Sequence, residues 1–173
     1  GRDCFRYLFT RYSKMYNDAN DKANINVTES INAVYFRFYE KRQDNLAHYF
    51  QTLYNMVKYV DENNAVTDKK KYTNIVRAQL SVYELGLLFY NCTSDLGKDK
   101  FKPLIEKYSL LKNMPKGILI MDSHIQLYHE EAYGYSPQWT NSHRFELDVK
   151  AEFDLWYCEA LEDDDLLNHL GSP

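Results

Sequence analysis

Arg77, Ser81 and Glu84 stand at i, i+4 and i+7 on what reads as the most apolar helix of the chain. That spacing stacks them along one stripe. A charge left alone in an apolar interior is very costly, so Arg77 and Glu84 need each other or groups on neighbouring helices, with Gln79 and tyrosine hydroxyls as candidate partners. The stripe is then either a buried polar network that fixes helix register or the wall of a ligand pocket. A second constellation is Arg42-Gln-Asp-Asn-Leu-Ala-His48, an arginine and a histidine inside one helical stretch. Its plain reading makes His48 a partly buried hydrogen-bonding residue beside Tyr49.

Other chemistry is thinly supported. His124 and His129, at i and i+5, do not share a helix face, and a metal needs ligands that converge, so no metal site is expected. Ser123-His124 has no accompanying acid or oxyanion feature. A Gly-rich phosphate loop and a dinucleotide fingerprint are both absent from the sequence, so no cofactor is expected. Asp163, Asp164 and Asp165 read as a solvated run. Cys4, Cys92 and Cys158 are odd in number and lack metal or disulfide spacing, which points to free thiols in a reducing compartment.

The elements that must position these residues are helices. Phe5, Leu8, Phe9, Tyr12 and Tyr16 keep one helical face. A second helix from about Thr28 carries Ile31, Val34, Tyr35 and Phe38, then Leu46 to Val60. The charged run Glu40, Lys41, Arg42 interrupts it, so the helix kinks or restarts there with Asp44 as a candidate cap. Asp68 can cap a central helix to about Asn91, apolar nearly all round in its second half and therefore buried. Asp99 can cap a further helix with Pro103 in its first turn and Leu111 on its inner face. Ile118 to Met121 reads as a short apolar run, His124 to Ala132 as a short helix, 133–142 as a loop and 143–161 as a last helix. The expectation is an all-α, single-domain antiparallel bundle of five to six helices around a buried central helix, about 68–91.

Composition agrees. The chain has 173 residues, of which 45% are hydrophobic and 27% charged, as in an ordinary globule rather than a disordered chain. With only 6 Gly and 4 Pro, few turns are obligatory and long helices are favoured. The 16 tyrosines predict a core threaded with polar contacts, because buried hydroxyls need partners. Charge is uneven: residues 1–120 sum to +6 and residues 121–173 to −10. The acidic third carries Phe145, Val149, Phe153 and Trp156 at helical spacing, so it is expected to fold and dock on the basic body. No apolar run approaches the ~18 residues of a membrane span.

Two family resemblances bear on function. Arg42 to His48 resembles the R-x4–6-H signature of HEPN-type ribonucleases, although Gln43 replaces the Asn, Asp or His usual after the arginine. That resemblance implies His48 in general acid–base cleavage of RNA with Arg42 steadying the phosphate, commonly across a homodimer, and with Lys41 and Lys58 lining the cleft. The stretches Asn45 to Val60 and Tyr72 to Asn91, continued by Phe101 to Asn113, resemble the putative phage abortive infection protein family, the AbiC-like group, over roughly residues 30–135. It is strongest in Arg-Ala-Gln-Leu-Ser, Arg77 to Ser81, with Glu84. This resemblance implies a bacterial or prophage-borne anti-phage effector with a protein partner, either a phage trigger or a host target. It also implies a cytoplasmic domain that in longer members follows a hydrophobic N-terminal segment tethering it to the membrane. It supplies no catalytic residues.

Overall fold

The computed structural model describes residues 2–20 and 26–134, and among them every regular element is helical. Six α-helices run in order: α1 Arg2–Asn20, α2 Val27–Glu40, α3 Gln43–Glu62, α4 Lys69–Ala78, α5 Val82–Thr93 and α6 Lys102–Lys107. Three 3-10 turns follow at Lys116–Ile118, Asp122–Leu127 and Glu130–Tyr133. The expected last helix at 143–161, its docking and Cys158 lie outside the described residues.

Local chemistry sets the boundaries. The Asn26 side chain accepts from the Thr28 N–H at 3.0 Å to open α2, and Glu29 and Arg37 sit at the ends where the helix dipole favours their charges. The charged run does break the helix, with Arg42 between α2 and α3; Asp44 lies in the first turn of α3 rather than capping it. Asp68 caps α4, accepting from the Lys71 N–H at 3.1 Å. Pro103 sits in the first turn of α6, but Phe101, not Asp99, precedes that helix, and the helix stops at Lys107.

The central helix is two helices. Ser81 caps α5 in a reciprocal capping box: the Glu84 N–H donates to Ser81 Oγ at 3.4 Å and the Ser81 N–H donates to Glu84 Oε2 at 2.7 Å. Only the second half is enclosed. Residues Leu85 to Thr93 are all buried, whereas α4 buries Thr73 alone. The apolar spacing runs through Gln79 to Ser81, but the cap starts a new helix that takes its own direction.

The α5 helix is the hub. Helices α1 and α2 pack on each other and on α5, α3 pairs with α4, and α6 packs on the last 3-10 turn. Gly86 allows the close crossing of α1, since a Cβ there would lie 2.6 Å from the Phe9 ring. Tyr12 sits among Tyr35, Phe38 and Tyr90, with centroids 5.2, 5.4 and 4.9 Å away.

The polar threading is present. His124 is fully buried, its Nδ1 2.9 Å from the Tyr90 hydroxyl and its Nε2 3.3 Å from that of Tyr16. The Ile120 N–H donates to the Tyr90 oxygen at 2.9 Å, so an imidazole carrying its proton on Nε2 satisfies both tyrosines. Burial pushes His124 down to about 4. Tyr128 and Tyr133 donate to the carbonyls of Phe89 and Ile125 at 2.9 and 2.8 Å. Tyr12 departs from the expectation, because its buried hydroxyl has no hydrogen-bond partner among the described residues.

Candidate binding cleft

Helix α6 ends in a tight C-terminal motif. The Ser109 N–H donates to Glu106 O at 3.3 Å and the Leu110 N–H to Ile105 O at 3.0 Å, the bond pair of a Schellman turn. The left-handed position of that turn usually holds glycine; here it holds Ser109, at φ 52°. A side chain in this region costs about 1–2 kcal/mol. The turn aims the Ser109 carbonyl at α4, where it accepts from Arg77 Nη1 at 3.1 Å.

Arg77 is thereby pinned to the wall of a cleft of about 710 Å³ between α4 and the turn after α6. Lys70 and Asn74 join it from α4, Lys107 to Ser109 and Lys112 lie on the α6 side, and His129, Glu131 and Gly134 complete the lining. The guanidinium is partly buried, its Nε has no hydrogen-bond partner among the described residues, and burial lowers the arginine's pKa from its ordinary value.

The charges here divide into paired and unpaired. Asp61, at the end of α3, takes Lys107 Nζ at 2.5 Å and the Tyr108 hydroxyl at 2.6 Å, and these hydrogen bonds hold its carboxyl below its ordinary pKa. Its backbone carbonyl also accepts from Lys69. One residue thus ties α3, α4 and α6 together. Glu106 accepts from the His129 N–H at 3.2 Å and lies 4.0 Å from Lys102 Nζ. Lys70 and Lys112 are exposed and form no ion pair among the described residues. Among the described residues, the uncompensated charge is therefore Lys70, Arg77 and Lys112 against the carboxylate of Glu131.

The residues singled out in the sequence are not gathered at one site. Ser81 and Glu84 meet in the capping box, and Glu84 Oε1 accepts from the Tyr49 hydroxyl at 2.8 Å, so Glu84 draws its donors from Ser81 and Tyr49. Arg77 turns the other way, into the cleft. Gln79 is the exposed C-cap of α4. Arg42 lays its guanidinium over the Phe38 ring, 5.1 Å from the centroid, and His48 is exposed on α3. Six residues of helix rotate His48 about 120° from position 42, and Lys58 stands about 15 Å further along the axis, paired with Glu62. None of these three lines the cleft at Arg77.

Sequence reasoning did not find Lys70, Ser109, Lys112 or Asp61. The run Lys69-Lys70-Lys71 after the Asp68 cap was the available signal for the first. Among the described residues, no three His, Cys, Asp or Glu side chains are grouped to hold a metal ion, and no helix is long and apolar enough to cross a membrane. No curated protein and no solved structure matches the chain. Residues 41–119, just under half of the chain, run from the break before α3 to the first 3-10 turn and build both long walls of the cleft. That segment matches the family described as putative phage abortive infection protein, which bears out the resemblance read over roughly residues 30–135 and gives the chain a suggested role in phage abortive infection.

Proposed function

We propose that this chain is an effector of phage abortive infection that acts by binding, with the cleft between α4 and the α6 turn as its working site. The observation that carries the reading is the set Lys70, Arg77 and Lys112: three cations without acidic partners among the described residues, two on α4 and one in the turn after α6, with Arg77 oriented by a strained turn and all three inside the family-matched segment. Strained backbone that a fold retains is concentrated at functional sites. Arg42, by contrast, is occupied by Phe38, and His48 faces another direction, which weighs against cleavage by that pair within one chain. The cleft engages the phage trigger or the host target. Met56 and Tyr59 on α3 and Tyr72 and Ile75 on α4, all exposed, add apolar area for a protein partner on the same hairpin.

The test is host growth after phage infection in cells expressing the chain or its Lys70→Glu/Lys112→Glu variant at matched levels. The reading expects culture arrest with the native chain and uninterrupted lysis with the variant. Equal arrest with both would refute it.

A further inference from the structure

The composition of the cleft narrows what it binds. We infer that it takes a nucleotide-sized ligand held through its phosphates, an inference that rests on the cleft being the working site. A volume of about 710 Å³ falls within the range that encloses a small organic molecule. Three cations converge from two sides: Lys70 and Arg77 from α4, Lys112 from beyond α6. A lone carboxylate, with one charge and two oxygens, leaves most of that charge unanswered. A phosphate chain carries several charges and enough oxygens to meet all three.

The three cations also differ in kind. The Arg77 guanidinium is fixed by Ser109 and offers a planar fork suited to phosphate oxygens, while Lys70 and Lys112 are point charges on flexible stems. Arg77 therefore sets the position of one phosphate and the lysines close over the rest. Glu131, Asn74 and His129 also line the cleft and suit the hydroxyls or amino groups of the ligand's remainder. Glu131 and Glu106 also argue for a small ligand over a nucleic-acid strand, whose continuous backbone would have to pass two carboxylates in the cleft.

The experiment is calorimetric titration of the full chain with inorganic phosphate, inorganic triphosphate and the four ribonucleoside triphosphates, alongside single-stranded RNA. Saturable binding of at least one triphosphate is expected, tighter than inorganic phosphate. It should weaken at least about tenfold in Lys70→Glu/Lys112→Glu, and also in Arg77→Lys, which keeps the charge but loses the fork. Both lysines are exposed, so the double variant should melt with the native chain and separate binding from folding. Failure of every triphosphate to bind, binding that ignores these substitutions, or tighter binding of the RNA overturns the inference. Phosphate binding that these substitutions abolish while infected cultures still arrest would instead sink the functional reading and leave the ligand site standing.

Discussion

Lowering the pH from 7.5 to 5 should cost this fold about 2 kcal/mol through His124 alone. The imidazole is fully buried between Tyr16 and Tyr90, and both ring nitrogens are committed to a neutral tautomer. Burial brings its pKa from 6.5 to about 4. Between these values the unfolded chain binds the proton and the native chain does not, so the contribution is complete above pH 6.5 and is lost as pH falls toward 4. At about 1.4 kcal/mol per unit the full interval is worth about 3 kcal/mol, of which about 2 is spent by pH 5. The assay is urea unfolding at several pH values across that window, for the native chain and for His124→Gln, with the histidine ring signals followed by NMR. The native chain should lose stability on acidification while the variant, less stable at pH 7.5, stays comparatively flat. A native chain with no pH dependence, parallel slopes for the two proteins, or a His124 signal titrating near 6.5 would refute the reasoning.

Three further substitutions probe the hub and the cleft. Gly86→Ala puts a methyl 2.6 Å from the buried Phe9 ring and 3.0 Å from Ile118, so despite a better helix propensity it should lose about 1–2 kcal/mol in urea unfolding. Ser81→Ala removes half of the capping box and should lose about 1 kcal/mol, with a smaller loss of helical circular dichroism than the Gly86 change causes on heating. Ser109→Gly relieves the left-handed strain and should raise stability by about 1 kcal/mol; a drop would show that the serine side chain itself holds the turn.

What could be read in advance follows from which interactions are local. The helical faces of α1 to α3, the break at Lys41-Arg42 and the Asp68 cap depend on residues close in sequence, and they were legible. The division of the central helix is written there too, as Ser81 with Glu84 three residues on, but helical spacing alone stacks those two side chains on a buried stripe and hides the capping box. The capping box changes the energetics of Arg77. With Glu84 held by Ser81 and Tyr49, Arg77→Ala leaves no orphaned carboxylate, so the 3–5 kcal/mol of a broken buried ion pair does not apply and about 1–2 kcal/mol for a lost hydrogen bond does. Ser109 gave no warning, because serine is not the residue that marks a left-handed turn. The cleft itself joins α4 to residues thirty and more positions later, and only packing brings Lys70 and Lys112 to one hollow.

The central claim is that protection works through binding at the cleft and not through chemistry at Arg42 and His48. Efficiency of phage plating decides it most directly, measured at matched protein levels for the native chain, Lys70→Glu/Lys112→Glu, and Arg42→Ala/His48→Ala. The account predicts that plating is restored by the cleft variant and stays suppressed by the Arg42/His48 variant. The reverse pattern, with both variants folded, would contradict it.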